Sequence, residues 1–521
     1  MRIILLVALL AATLPVHAQT LRFAIAADAA TLDPHAVNLL TTTRLTASVY
    51  ESLVARDKDF NIVPGLAISW TQPDPLTWRF TLRPGVKFHE GEAFTADDVV
   101  FSIERTLHPL SQLKSSVEGV ERAVRVDDLT VDLKMKQPNP VLLLHLFQLR
   151  IMSRAWAARH NALTPQNFND KEDTYAARNT NGTGPYKVVL RQPDLKTVLQ
   201  EHAQWWNRSS PERGNVKEIV WTPISSNGTR VAALLSGEVD FVIDPPVQDV
   251  ESLKSNARIR IVEGREARVV YLGFDVHRDE LLYGTKGKNP FKDPRVRQAV
   301  AHAVDVDLVR DKVYRGYSNP TFSISAPGVR GYSRELDARP KVDRALARKL
   351  LAQAGYPDGF DVTLDCVNVV PTAHLCQAIP PMLAQVGIRV TPNLLPTPNF
   401  NPKIQALDTS MWLQSWGAVT HDSLYVLQSL LYTRQETKGA LGDYNLGRWT
   451  NSEFDSLVDR VRVETDLAKR DRLIHDALAI VARDVPIVPL TQNIIPWAMR
   501  SNVQAASAPN NIPYFFRFRI S

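Results

Sequence analysis

The sequence predicts an α/β protein with two lobes. Two strand–helix–strand patterns, at residues 218–243 and 361–394, lie far apart in the chain. A helix that connects two strands of one sheet leaves them parallel, so the sheet is expected to be parallel at each pattern, and two such units indicate two α/β lobes. The chain has 521 residues, which is more than one hydrophobic core accommodates, and we therefore expect two or three domains.

The N-terminus has the pattern of an export signal. Arg2 precedes an apolar run over residues 3–14, and the Val-His-Ala stretch at 16–18 suits cleavage by signal peptidase. We expect residues 1–18 to be removed as a signal peptide. The run is too short for a membrane span, and no cysteine at the junction offers a site for a lipid anchor. The prediction is a free, soluble protein in the periplasm.

Local signals place the helices and strands in order along the chain. Thr95 and Asp98 form a capping box at the start of a helix predicted over 96–107. The first strand–helix–strand pattern has its strands at 218–223 and 239–243 and its helix at 229–235. The second pattern has its strands at 361–366 and 388–394 and its helix at 372–386. A further helix is predicted to begin at Pro294, and three more follow from apolar stripes that begin at Ala347, Phe454 and Ile474.

Cys366 and Cys376 are the two cysteines of the chain. In an oxidising compartment, a pair ten positions apart is expected to form a disulfide. Two thiols without a neighbouring set of cysteines or histidines cannot complete a zinc site, so we expect no metal site and no cofactor.

Charge and motifs argue against nucleic-acid binding and catalysis. The chain has 61 basic and 55 acidic residues, a formal charge of +6, and the two signs are interspersed. This pattern is typical of a mixed solvated surface rather than a nucleic-acid interface. The sequence contains no nucleophile elbow, no HExxH, no CxxC, no phosphate loop and no dinucleotide fingerprint. We therefore expect a protein that is not an enzyme.

Long phrases of the sequence resemble one family. They include YESLVAR from Tyr50, WRFTLRPGVKFHEGEAFTADDVVFSIER from Trp78, GTGPY from Gly182, DPRVRQAVAHAVD from Asp293 and YNLGRWTNSEFD from Tyr444. In this order they closely resemble the family 5 extracellular solute-binding proteins, which serve ABC importers of dipeptides, oligopeptides, glutathione, nickel complexes and opines. The resemblance covers nearly the whole chain after the export signal.

The resemblance implies a type II periplasmic-binding-protein fold of three domains, with a hinge between two lobes. A strand over 269–275 would cross the hinge, and the chain would return near residue 489. The expected boundaries are 19–50, 190–268 and 490–521 for domain I of lobe 1, 51–189 for domain II of lobe 1, and 269–489 for domain III, which is lobe 2.

The resemblance also implies a function. Closure of the lobes would bury a small polar solute such as a peptide or an opine, and the closed monomer would deliver it to the permease subunits of an ABC importer. Binding of a nickel chelate or haem by the same fold is an alternative within the family. A secreted hydrolase is the alternative from another class, and it would need a serine that meets His421 and Asp422.

Ligand specificity is predicted from the segment that begins at Trp416. In peptide-binding relatives an aspartate three positions after this tryptophan pairs with the amino group of the peptide, and here Val419 occupies that position. A valine cannot compensate a buried ammonium, which favours an opine, a blocked peptide or another polar metabolite. The candidate ligand contacts are the stacking wall Trp416 and the polar residues His421 and Asp422.

Three weaker candidates lie elsewhere in the chain. Thr183 and Gly184 belong to the turn before Tyr186, where backbone groups could face the ligand. Tyr271 lies on the strand that is expected to cross the hinge.

Overall fold

The computed structural model describes residues 19–170, 172–435 and 441–521. The predicted signal peptide, residues 1–18, lies outside the described residues. The strands are β1 Thr20–Ile25, β2 Val54–Arg56, β3 Ile62–Pro64, β4 Ala67–Asp74, β5 Thr77–Leu82, β6 Val120–Asp127, β7 Thr130–Met135, β8 Tyr186–Gln192, β9 Lys196–Glu201, β10 Glu218–Pro223, β11 Phe241–Ile243, β12 Ile259–Phe274, β13 Ser318–Pro320, β14 Phe360–Val367, β15 Ile388–Leu395, β16 Met411–Gly417, β17 Ile487–Arg500, β18 Val503–Gln504 and β19 Arg519–Ile520.

The helices surround these strands. They are α1 Leu40–Val49, α2 Ala96–Leu107, α3 Leu142–Leu146, α4 Arg154–Arg159, α5 Tyr175–Arg178, α6 Asn227–Ser236, α7 Val247–Lys254, α8 Pro294–Ala303, α9 Val306–Leu308, α10 Arg344–Gln353, α11 Thr372–Ala384, α12 Thr397–Gln405, α13 Ser423–Val426, α14 Ser452–Val463 and α15 Leu467–Asp484. In the described part of the chain, none of them is long and apolar enough to cross a membrane.

Local chemistry explains where the predicted elements begin and end. Helix α2 has the predicted bounds because Thr95 and Asp98 form both bonds of the capping box. Strand β10 also matches its prediction, and helix α11 is two residues shorter than predicted. Strands β14 and β15 pair in parallel, as the second strand–helix–strand pattern predicted. In the first pattern, β1 lies between β10 and β11 and is parallel to both.

One large sheet runs through both lobes. Its strand order is β15-β14-β16-β12-β17-β11-β1-β10-β9-β8, with β13 paired to β17. Strands β12 and β17 are antiparallel neighbours along most of their length, from the pair Ile259 and Arg500 to the pair Gly273 and Ile487. Their register shifts between Arg265 and Val269, which marks a bulge where the two strands pass from lobe 1 to lobe 2. The two long strands therefore connect the lobes.

Separate hydrophobic cores fill the domains. Phe23, Trp221 and Phe241 belong to the core around β1. The antiparallel sheet β4-β5-β7-β6 packs on α2 and has its own core. Lobe 2 has three further cores among the described residues, one of which contains Leu364 and Cys366. Cys366 forms a disulfide with Cys376, which fastens the end of β14 to α11. The exact domain boundaries stay predictions.

Candidate ligand-binding cleft

A cavity of about 300 Å³, which we name the cleft cavity, lies between the lobes where β12 crosses. Its walls come from five parts of the chain, which are α1, the segment before α4, the β12 bulge, the end of β16 and the C-terminal tail. The lining residues are Asn38, Leu40, Thr43, Phe147, Gln148, Arg150, Glu266, Ala267, Arg268, Trp416, Gly417, Ala418, Val419, His421, Tyr425, Pro509, Asn510 and Ile512. Residues of both lobes thus line one cavity.

Trp416 forms the aromatic wall of this cavity. It stands at the end of β16, held by its pairing with Val269 on β12. Its ring lies 4.5 Å from that of Tyr444 and 6.0 Å from that of Tyr425, centroid to centroid. The indole Nε1 is buried and has no hydrogen-bond partner among the described residues.

Val419 and His421 follow Trp416 in the turn after β16 and also line the cavity. His421 has a left-handed backbone (φ 57°), and its ring lies 4.4 Å from that of Phe60 in lobe 1. Burial and the nearby Arg56 guanidinium lower the pKa of His421 to about 3. The imidazole is therefore neutral when the lobes are together, and it offers one donor and one acceptor.

The charges in the cleft cavity leave an excess of one cation. Arg268 pairs with Glu266 through Nε and Oε1, 3.1 Å apart. Arg150 is buried and donates from Nη1 to the Ser52 hydroxyl at 3.3 Å, but it has no carboxylate partner in the described part of the chain. Burial lowers the pKa of the Arg150 guanidinium. No other carboxylate lines the cavity among the described residues, so the site favours an anionic group.

Asp422 was predicted as a ligand contact, and the structure gives it another role. Both of its carboxylate oxygens accept hydrogen bonds from Arg470 on α15, at 2.6 and 2.7 Å. The two side chains are almost completely buried in lobe 2. Asp422 also accepts from the Leu424 amide and caps α13. Its charge is therefore compensated inside the lobe and is not available to a ligand.

Thr183 and Gly184 lie outside the cleft cavity. The Gly184 amide donates to the Val49 carbonyl at 2.9 Å, and a Cβ atom on Gly184 would lie 2.6 Å from that oxygen. The Gly184 carbonyl accepts from His89 Nε2 at 3.0 Å. The turn thus needs glycine for close packing against the end of α1. Thr183 is fully buried beside it. We assign both residues to the packing of lobe 1 rather than to ligand binding.

Tyr271 is also separated from the cleft cavity. It lies on β12 inside a core of lobe 2, where its hydroxyl donates to Gln414 Oε1 at 2.9 Å. Burial raises the pKa of this phenol. The predicted position on the crossing strand is right, but the side chain points into the core.

Direct contacts hold the two lobes together in this structure. Gln428 of lobe 2 donates to both carboxylate oxygens of Glu118 in lobe 1, each at 3.1 Å. Arg56 of lobe 1 donates to the Thr420 carbonyl of lobe 2 at 3.3 Å. These bonds join the two lobes directly in this structure.

The arginine of the cleft was missed by the sequence reasoning. Arg150 stands between Leu149 and Ile151, which are both completely buried. An arginine inside an apolar run was the feature of the sequence that could have indicated a buried functional charge. Glu266 and Arg268 gave no comparable signal, because the β12 bulge that directs them to the cavity depends on pairing with a strand more than two hundred residues later.

Comparison with known families agrees with this architecture. The family described as bacterial extracellular solute-binding proteins, family 5 Middle, matches residues 61–438. The chain belongs to this family. It is the solute-binding component of an ABC importer, and its α/β fold is that of the periplasmic binding proteins.

Individual relatives show how wide the family is. The chain is 27% identical over 477 residues to the Glutathione-binding protein GsiB of Salmonella typhi, which covers 90% of this chain and 88% of the relative. It is 27% identical over 475 residues to the Heme-binding protein A of Haemophilus influenzae, covering 86% and 82%. The periplasmic binding protein DppA of Helicobacter pylori, solved in complex with the peptide STSA, is 26% identical with a TM-score of 0.79, covering 96% and 98%.

Proposed function

We propose that this protein captures a small peptide-like or opine-like solute that carries a carboxylate and has no free ammonium near Val419. Arg150 supports the carboxylate, because it is a buried guanidinium without a carboxylate partner among the described residues and it lines the cleft cavity. A charge-assisted bond from this arginine to a ligand carboxylate would compensate the buried cation.

We also propose that the solute has no free ammonium near Val419, because no described group that lines the cavity there could pair with one. Val419 faces the cavity, and Asp422 is already bonded to Arg470. Glu266 is bonded to Arg268. Among the described residues, the one carboxylate that lines the cavity is thus paired, and a ligand ammonium beside Val419 would be buried without a partner. Trp416 and His421 are the proposed wall and neutral hydrogen-bonding group.

The named ligands of the relatives are glutathione, haem and a peptide. They differ so much that the relatives alone select no ligand, and the cleft chemistry carries the choice. A peptide acylated at its amino end satisfies both charge conditions, and so does an opine whose nitrogen is part of an amide.

The remaining features of the proposal follow from the family. We propose that the protein acts as a monomer in the periplasm, without a lipid anchor, and that its partners are the permease subunits of the importer. We also propose that it is not an enzyme. In support, Ser423 Oγ lies 2.6 Å from Ser325 Oγ and 2.7 Å from the Arg330 carbonyl, while Asp422 bonds Arg470. The serine and the aspartate that follow His421 are thus bonded to other groups and not to its imidazole.

Native mass spectrometry of protein purified gently from a periplasm tests the proposal. We expect an added mass that disappears after denaturation and whose fragments show a carboxylate and a blocked or conjugated amine. Titration calorimetry then compares an N-acetylated dipeptide with the same free dipeptide. Tighter binding of the free dipeptide would contradict the proposal.

A further inference from the structure

A second cavity of about 300 Å³, which we name the lobe 1 cavity, lies between domains I and II. Its walls come from α1, the β2–β3 hairpin, the segment after β9 and the C-terminal tail, and no residue of lobe 2 lines it in the described part of the chain. Aromatic rings from Trp205, Trp206, Tyr514 and Phe516 form much of its surface. Phe147 and Arg150 line both this cavity and the cleft cavity.

The carboxylates of the lobe 1 cavity are engaged within the protein. Glu212 pairs with Arg517 at 2.7 Å. Asp57 accepts from the Asn61 amide at 2.8 Å inside its own turn. Glu51 accepts from the indoles of Trp205 and Trp206 at 3.0 Å, and its burial raises its pKa to about 7.

Two buried cations of this cavity form no hydrogen bond or ion pair with a carboxylate among the described residues. Arg56 donates to the carbonyls of Phe60 and Thr420, and its buried Nε has no partner there. Arg150 donates to the Ser52 hydroxyl. Both side chains are more than nine-tenths buried. Two buried guanidinium groups beside one cavity carry a large desolvation cost, which an anion would offset.

From this arrangement we propose that the lobe 1 cavity is a second binding site, which holds a small carboxylate with an aromatic or apolar body. The carboxylate binds Arg56, and the body packs on Trp205, Trp206 and Tyr514. The rings supply dispersion contacts, the Arg56 guanidinium supplies the charge-assisted bonds, and Arg150, which the cleft solute engages, adds positive charge to the same wall. This site goes beyond the proposed transport function, since it lies inside lobe 1 and needs no closure to form its walls.

Arg56 also connects this site to lobe 2. The same guanidinium that lines the lobe 1 cavity donates to the Thr420 carbonyl, in the turn that carries Val419 and His421 to the cleft. A carboxylate that fixes the Arg56 side chain therefore acts on a bond between the lobes.

Titration calorimetry with 3-phenylpropanoate as the probe tests the proposal. We expect saturable one-to-one binding to the wild-type protein, at least tenfold weaker binding to Arg56→Met, and loss of binding to Ala55→Phe, which fills the cavity wall without removing a charge. The neutral analogue 3-phenylpropanamide should bind at least tenfold more weakly than the acid. Thermal denaturation of each variant checks that it is folded.

Trp416→Ala is the matched control, because Trp416 lines the cleft cavity and not the lobe 1 cavity. It should leave the affinity for the probe unchanged. The proposal is overturned if the wild-type protein does not bind the probe, if the amide binds as well as the acid, or if Trp416→Ala abolishes binding while Ala55→Phe retains it. The last result would place the probe in the cleft.

Discussion

Two buried arginines of this protein differ in what surrounds their charge. Arg470 in lobe 2 is paired with Asp422, whereas Arg150 in lobe 1 has no such pair among the described residues. Arg470 is 1% exposed in its side chain and makes two bonds to a carboxylate that is equally buried. Arg150 is also buried, but its described side-chain partner is a hydroxyl, and it borders two cavities. A buried arginine that is bonded to a carboxylate stabilises the fold. A buried arginine that lies beside a cavity without such a bond is available to pair with an anionic ligand.

The largest expected effect is on the compensated pair. Asp422→Ala leaves the Arg470 guanidinium buried without its carboxylate, so we expect the free energy of unfolding to fall by about 3–5 kcal/mol. Chemical denaturation measures it. The double variant Asp422→Leu with Arg470→Met should recover most of the loss. If the single variant is as stable as the wild type, the ion pair does not have the structural role assigned to it.

A matched pair of Arg→Met variants sharpens the comparison. Arg105 in lobe 1 is completely buried and bonded to Asp33. Arg150 is not bonded to a carboxylate in the described part of the chain. We expect Arg105→Met to destabilise the protein and leave the affinity for solute nearly unchanged. We expect Arg150→Met to weaken binding of the copurifying solute about a hundredfold, or about 3 kcal/mol, without lowering the stability of the ligand-free protein. If the two variants change in stability and in affinity for solute to the same extent, Arg105 and Arg150 do not differ in role.

His421 gives a pH test of the contact between the lobes. Its pKa is lowered from 6.5 to about 3 by burial and by Arg56, both of which require closure. In the open protein His421 takes up a proton that the closed protein excludes. The free energy of lobe closure is therefore most favourable above pH 6.5 and becomes less favourable as the pH falls below that value. Affinity for solute should weaken by up to about tenfold, or about 1.4 kcal/mol, per pH unit in that range. Calorimetry should show this slope in the wild type and a flatter one in His421→Phe. An unchanged slope in the variant would contradict the account.

The smallest predicted effect concerns the bond from Gln428 to Glu118. Gln428→Ala removes a hydrogen bond that exists only in the closed form, so solute affinity should fall about fivefold, or about 1 kcal/mol. Gln298→Ala, which removes a glutamine that bonds only within lobe 2, is the control. An equal loss in both variants would show that the effect is unrelated to closure.

Much of the fold could be predicted because its signals are local. The capping box at Thr95 and Asp98 fixed the bounds of α2, and the second strand–helix–strand pattern predicted β14, α11 and β15 closely. The pairing of Cys366 with Cys376 also depended on two positions close in sequence.

The candidate site was harder to predict because its partners are distant in sequence. Asp422 looked free, since Arg470 lies 48 positions later. Thr183 and Gly184 were predicted to face the ligand, but Thr183 is fully buried and Gly184 packs against Val49. Trp416, Val419 and His421 were found from the family resemblance, and the structure places them in one cavity. Arg150 is a site residue only because five separate segments meet around it.

The crystal structure of the complex with the copurifying solute is the most direct test of the proposed recognition. The account predicts lobes closed on a ligand whose carboxylate lies within hydrogen-bond distance of Arg150, whose body stacks on Trp416, and which places no ammonium against Val419. A ligand whose free ammonium is paired in the cleft, with Arg150 left without an anionic partner, would contradict it.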